Sequence, residues 1–488
     1  MTQKEKSQVQ IEEDVIRKVG TLFENVLSRQ PPQNIIELWK ENVEIRKIMT
    51  EVAELQNKIG DTNKRLAQQT RSPEAIKAFL TWADQIGIAR NNVDIVESKD
   101  HIAVKVPRHA MLSLDLAKKS SIMKKAFEQD PLIGGMGNVG LALFLATQWI
   151  NKEQSKWHAY ISVLPNTFTT PIFYTEEQLL QLKPSPIFEE TLMFYRTICR
   201  QFAYFLISIS KNRAFENLQK TKGDSSIAPP PLYNTPFNVS NFTLGLYMWA
   251  CGVVTTRVNM VPSETEKTEK GEVIMTPALI PVLDMANHET LEIDDQPEDL
   301  VCFSPDENCA LVTCHSDVNP GDAVTIFYGK RSHGEHLLHN GFVPASHNTF
   351  DIYKLKIGIP KSDKDLEAKR KLIGELAPDV CCTGNVFHFV IINYPKKPFS
   401  EDIQVFASIF VTANPNKENI KSIESRKKGL EFIRNRLMIL EKSYENSPRD
   451  PKTLALIGYA GDIARLKSSE AHILRIARIH CENLEKSI

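Results

Sequence analysis

The sequence predicts an α+β fold, a β-rich centre held between long helical stretches, and three observations carry that prediction. Residues 301–303 and 310–314 alternate around Pro305-Asp306-Glu307-Asn308, the pattern of a β-hairpin. Asn319-Pro320-Gly321-Asp322 makes a second turn and feeds a strand over 323–328. On either side, apolar residues recur at helical spacing: Val15, Val19, Leu22, Val26 and Leu27 near the start, and Leu430, Ile433, Leu437 and Leu440 near the end.

In chain order, residues 8–70 read as two helices broken at Pro31-Pro32, a packing appendage rather than a catalytic part. A helix over 73–86 leads to strands over 93–96 and 102–106. Residues 120–220 are helix-rich, as in 138–151 and 186–210, and 220–241, with Pro229-Pro230-Pro231, is a loop. Polar residues 263–272 and acidic residues 289–299 read as surface loops. Amphipathic helices over 426–444 and 452–484 close the chain, and no internal repeat is visible.

Bulk composition excludes several functions. With 488 residues, 59 basic and 60 acidic, the net charge of −1 sets up no field for nucleic acid or an anionic membrane. The start carries no apolar run of a secretory signal, and the most apolar stretch, 244–254, is far shorter than the ~20 residues of a membrane span. Eight scattered cysteines without a Cys-x-x-Cys pair read as reduced thiols, with no structural zinc. Cys302, Cys309 and Cys314 are expected as small apolar fillers of the hairpin.

Two motifs invite a reading that their context opposes. Gly135-Met136-Gly137-Asn138-Val139-Gly140 has the spacing of a dinucleotide fingerprint, but no strand precedes it, so these glycines are expected to open a buried helix. His333, His336 and His339 are three apart, which on a helix spreads the outer pair away from a common ion, so no metal is expected.

Two blocks carry the chemistry. Ala278-Leu-Ile-Pro-Val-Leu-Asp-Met-Ala-Asn287-His288 is an apolar run ending in Asn-His; Val324-Thr-Ile-Phe-Tyr328-Gly329 is a second ending in Tyr-Gly. Arg257 and Asn259 precede the first block, two apart on a segment read as extended, where they share a face. Further on come Arg331-Ser332 and His339-Asn340-Gly341-Phe342, and earlier Trp157-x-x-Tyr160-Ile-x-x-Leu164-Pro165 and Gln201-Phe-Ala-Tyr204-Phe.

Over roughly residues 70–488 these blocks resemble the SET-domain methyltransferases of the Rubisco large-subunit type, and within them the branch that methylates a histidine of actin. The resemblance implies a SET-domain β-fold at 71–345 with a helical insert at about 120–240, behind an N-terminal extension at 1–70. An all-α substrate-binding domain would follow at 346–488. It implies S-adenosylmethionine as cofactor, cradled by Arg71, Arg257, Asp284, Met285, Ala286, Asn287 and His288, with Asn340, Gly341 and Phe342 closing the other side. Asn259 would hold the target side chain, Tyr328 would line the methyl-transfer channel, and Leu283 and Arg331 would meet the substrate. Actin is the implied partner, with a monomer in the cytoplasm, and nuclear residence also open.

The sequence departs from the family at two places. Members open with a Glu-Gly-x-Gly-Leu segment, whereas residues 97–108 run straight to Val106-Pro107-Arg108 without it. Actin-directed members carry a tryptophan where this chain has Leu283. The second departure keeps a lysine-directed enzyme open, and the first a non-catalytic protein-binding module.

Overall fold

A computed structural model describes residues 3–90, 101–222, 228–290, 301–314 and 321–488. The strand expected at 93–96, residues 97–100 of the segment without the glycine motif, most of the acidic loop and Asn319-Pro320 lie outside them. The chain divides into two units. One is Met1–Phe173 with Glu189–Leu291 and Asp295–Tyr328; the other is Tyr174–Phe188 with Glu292–Asp294 and Gly329–Ile488.

In the first unit, the N-terminal helices Gln3–Leu22 and Ile35–Asn57 join the larger hydrophobic cluster. Val15, Val19, Ile45 and Val52 pack in one cluster with Phe144, Phe202, Phe242 and Trp249. Asn34 caps the second helix by accepting from Ile36 N at 2.8 Å. Arg196, 5% exposed at its side chain, pairs with Glu41 at 2.6 Å and donates to the main-chain oxygens of Val26 and Arg29. That arginine pins the turn between the two helices.

The glycine triplet behaves as its context requires. Pro131–Gly135 is a short helix, and Gly137–Asn151 is a buried one. A Cβ on Gly140 would lie 2.5 Å from the Phe127 ring, and one on Gly137 3.1 Å from Leu114 and 3.2 Å from Pro277. These glycines permit close packing.

Two small antiparallel sheets frame the site. Ala89–Arg90, His101–Pro107, Cys309–Cys314 and Val301–Ser304 lie in that order, the last two being the expected hairpin. Its alternation turns Val301 and Phe303 toward the core and leaves Cys302 exposed, so only Cys309 of this pair is the buried filler expected of both. The second sheet orders Leu112–Ser113, Val273–Leu279 and Asn259–Lys267. Residues 263–267, expected as loop, are strand here. Asp115 accepts from Ser263 Oγ at 3.0 Å and Glu264 N at 2.8 Å, and Lys119 meets Glu264 at 2.6 Å. Pairing with Val273–Leu279, secured by these contacts distant in sequence, overrides a polar composition.

The second unit has its own core, built on Phe387, Phe389, Phe406, Ile433, Leu437, Ile473 and Leu474. Helices Glu401–Val411, Ile423–Lys442 and Tyr459–Ser487 dominate it. Beside them stands an antiparallel sheet of Ile352–Gly358, Val386–Ile392 and Cys381–Thr383, which the helical periodicity did not announce. The helix expected over 452–484 is interrupted after Pro451–Leu454, where Gly458 takes φ +90° before the long helix begins.

Candidate active site

The site of the first unit begins with the helix Leu244–Arg257, capped by Thr243 accepting from Leu246 N at 3.1 Å. The helix runs through Thr256-Arg257, so Arg257 is a helix C-terminal residue and not part of an extended segment as its neighbours suggested. Burial of Val253 and Val254 carries the β-branched run as helix. The strand starts at Asn259, whose side-chain amide donates to the main-chain oxygen of Arg257 at 3.1 Å.

From the strand Val273–Leu279 the chain turns through Val282, a β-branched residue at φ +71°. Such a conformation costs about 1–3 kcal/mol and persists where surroundings over-determine it. A 3-10 turn, Leu283–Met285, follows. Leu283 is buried, 1% exposed, in the cluster that holds Ala278 and Ile280. The Asp284 side chain is fully buried. Its Oδ1 is 3.7 Å from Arg257 Nη1, which donates to the Asp284 main-chain oxygen and contacts Met285 Sδ at 3.5 Å. Its Oδ2 accepts from the hydroxyl of Tyr160. Burial raises the Asp284 carboxyl to about 6, against the pull of Arg257, the Tyr160 hydrogen bond and Arg71.

Asn287–His288 then pairs in parallel with Thr325–Ile326. The ladder is two residues long on each side, so the strand expected over 323–328 is confined to its middle. This pairing unites the two sequence blocks. The Tyr328 hydroxyl donates to the Ala286 main-chain oxygen at 2.7 Å, and Tyr328 N meets His288 Nδ1 at 3.2 Å. The rings of His288 and Tyr328 lie 5.3 Å apart. Asn287 is exposed.

Arg71 donates through Nε to the main-chain oxygen of Val163 at 2.8 Å. Burial, then the charge of Arg257, lowers its guanidinium from the ordinary value, which puts the two arginines in the same field. Thus Arg71, Arg257, Asn259, Leu283, Asp284, Met285, Ala286, Asn287, His288 and Tyr328 all belong to the first unit. Sequence reasoning gave no role to Tyr160. Its motif was visible, but nothing in the spacing says that its hydroxyl meets an aspartate far along the chain.

Arg331, Asn340, Gly341 and Phe342 belong to the second unit. There Arg331 Nη1 donates to Asn340 Oδ1 at 2.6 Å, tying two of the expected residues to each other. Ser332 and Glu335 form a reciprocal cap, and a π-helical turn, His336–Asn340, ends at Gly341 with φ +83°. Phe342 packs on His336 at 5.3 Å between ring centres. His333 Nδ1 stands 2.9 Å from Asp351. Among the described residues no group of His, Cys, Asp or Glu could hold a metal ion.

The residues present fit S-adenosylmethionine. The buried Nε of Arg257 has no hydrogen-bond partner among the described residues, and a guanidinium N–H left in that state calls for an acceptor. A cofactor carrying an amino-acid carboxylate supplies one. Asn287, exposed beside the buried Asp284, adds an amide at the edge of the same site.

This architecture is the SET-domain fold. Solved structures of the SET domain of Rubisco large-subunit methyltransferase bound to lysine and S-adenosylhomocysteine, and of the same enzyme bound to S-adenosylmethionine, superpose with a TM-score of 0.60. They do so at 17% identity, covering 85% of this chain and 92% of theirs. No family model matches the chain. Among curated proteins it is similar to actin-histidine N-methyltransferases. The rat protein is 26% identical over 85% of this chain and 68% of its own length. The human one is 27% identical over 78% and 59%, and that of Xenopus tropicalis 24% identical over 92% and 74%. The chain thus spans between about three-fifths and three-quarters of the length of these relatives.

Among the described residues no helix is long and apolar enough to cross a membrane.

Proposed function

We propose that this chain is an S-adenosylmethionine-dependent protein-histidine N-methyltransferase whose substrate is actin. One observation carries the reading: the pairing of Asn287–His288 with Thr325–Ile326, which brings Tyr328 onto Ala286 and His288, beside Arg257 and Asp284. The names of the relatives support histidine and actin over other targets. When bound, the cofactor supplies an electrophilic methyl for an in-line displacement that needs no proton donor or metal. The chain's own residues have to align and desolvate the nucleophile.

A neutral imidazole, with an ordinary pKa near 6.5, already offers a lone pair at pH 7. What it needs is the right tautomer. Asn259 commits its amide nitrogen to Arg257, which leaves its side-chain oxygen to accept the imidazole N–H and aim the other nitrogen outward. Tyr328 commits its proton to Ala286, which fixes the orientation of its hydroxyl beside Ala286 and His288.

A second reading, a lysine-directed enzyme, is favoured by Leu283. Leu283, expected to meet the substrate, is instead packed into the core, so this position offers no flat ring for imidazole to stack on. Actin peptides carrying either the target histidine or a lysine in its place, with labelled cofactor, separate the two. Label on the histidine peptide alone supports the proposal, and label on the lysine peptide alone overturns it. In the proposal the protein works as a monomer in the cytoplasm, with nuclear residence also open.

A further inference from the structure

Tyr160 is fully buried, 0% exposed, and its hydroxyl donates to Asp284 Oδ2. Three residues on, the main-chain oxygen of Val163 accepts from Arg71 Nε at 2.8 Å. One short piece of chain, the helix His158–Ser162 and the residue after it, therefore grips both the carboxylate of Asp284 and the guanidinium of Arg71. From the end of its own helix, Arg257 faces the same carboxylate at 3.7 Å. Two guanidinium groups in one field repel, and the anion that offsets them is Asp284. The ring of Tyr160 is itself wedged against Phe79, 6.1 Å away, in the helix that follows Arg71.

We propose that Tyr160 is a positioning residue for cofactor recognition: by fixing the Asp284 carboxylate it keeps Arg71 and Arg257 in the arrangement that receives the carboxylate of S-adenosylmethionine. This rests on the reading of the site given above and adds to it a residue that touches neither cofactor nor substrate. The charged and titratable groups that face Asp284 are Tyr160 from the His158–Ser162 helix, Arg257 from the Leu244–Arg257 helix, and Arg71 ahead of the Pro73–Gln85 helix. Asp284 loses its charge as pH falls through about 6. Below that the two arginines lose their shared anion, and cofactor binding weakens on the acid side. The Tyr160 hydrogen bond pulls the carboxyl down, so its removal moves the acid limb to higher pH.

Calorimetric titration of the full chain with S-adenosylmethionine, from about pH 5.5 to 8, tests this for the wild type, Tyr160→Phe and Asp284→Asn. In Tyr160→Phe the affinity is expected to fall about tenfold at neutral pH, as for a lost hydrogen bond to a charged group, with the acid limb shifted upward. Its KM for cofactor rises by a larger factor than its kcat falls. Asp284→Asn weakens binding and abolishes the limb. A folded Tyr160→Phe with wild-type affinity and an unmoved limb overturns the positioning role. Asp284→Asn retaining the wild-type limb overturns it as well, and serves if the tyrosine variant does not fold. Tighter binding of the wild type in acid contradicts it also. A wild type that binds no S-adenosylmethionine at any pH overturns the reading of the site instead.

Discussion

Under the proposed function Asn259 is where the choice of substrate is made, because its amide is the group that can fix an imidazole tautomer. Asn259→Ala is expected to lower kcat/KM for a histidine peptide by about 100-fold, the scale of a lost orienting contact, while cofactor affinity in calorimetry stays within about twofold. Tyr328→Phe removes a hydroxyl held by Ala286 and is expected to lower kcat about tenfold with little change in KM for the peptide, read in steady-state kinetics. At this scale the sequence was legible where a residue's role is local. Asn287, His288 and Tyr328 sit in motifs whose order announces them, and the parallel pairing joins them. Asp284 was legible as a member of the motif but not as a buried carboxylate, because its partners Tyr160, Arg71 and Arg257 come from three distant segments. No pattern within its own block records that burial.

Elements in both units depend on close approaches that leave a trace in sequence only as glycine. Gly429 lies where the helix Ile423–Lys442 crosses Glu401–Val411, and a Cβ there would stand 2.8 Å from Ser408 N and 3.0 Å from Ala407 C. Backbone cannot yield as a side chain does. Gly429→Ala is therefore expected to destabilise the second unit by about 1–3 kcal/mol, measured by urea unfolding. The helices were the easier elements to read, since a period of 3.6 over many residues is a strong signal: Gln3–Leu22, Ile35–Asn57 and Ile423–Lys442 all follow it. Strands set by distant partners were harder. The hairpin of Val301–Ser304 and Cys309–Cys314 has a local turn and was foreseen, whereas residues 263–267, polar in sequence, extend a strand that pairs with Val273–Leu279 and is held by Asp115 and Lys119. The Cys381–Thr383 strand has three residues and carries too little pattern to be read.

At the scale of the molecule, a buried polar group in each unit carries a prediction about stability. In the first, Arg196 is held by Glu41 and two main-chain oxygens, and Arg196→Ala leaves the half-buried Glu41 carboxylate and both oxygens without their donor; the expected loss is roughly 1–3 kcal/mol in denaturant unfolding. In the second, Glu470 accepts from Ser185 at 2.8 Å and Tyr444 at 2.9 Å, and burial lifts its carboxyl to about 8. Its folded pKa lies above the ordinary 4.5, so the native state holds the extra proton between those values. The contribution is full at the acid end and is lost as pH rises toward about 8. Glu470→Gln should flatten that fall in thermal unfolding across the same window. The two units part after Tyr328 and take Tyr174–Phe188 into the second, which no periodicity records, and the N-terminal helices merge with the first core through Gln56 and Arg196 meeting distant main-chain oxygens. What the whole arrangement is for is tested most directly by mass spectrometry of actin incubated with the full chain and S-adenosylmethionine. A single methyl added to one histidine is the predicted result. Actin left unmodified by an enzyme preparation that binds the cofactor would contradict it.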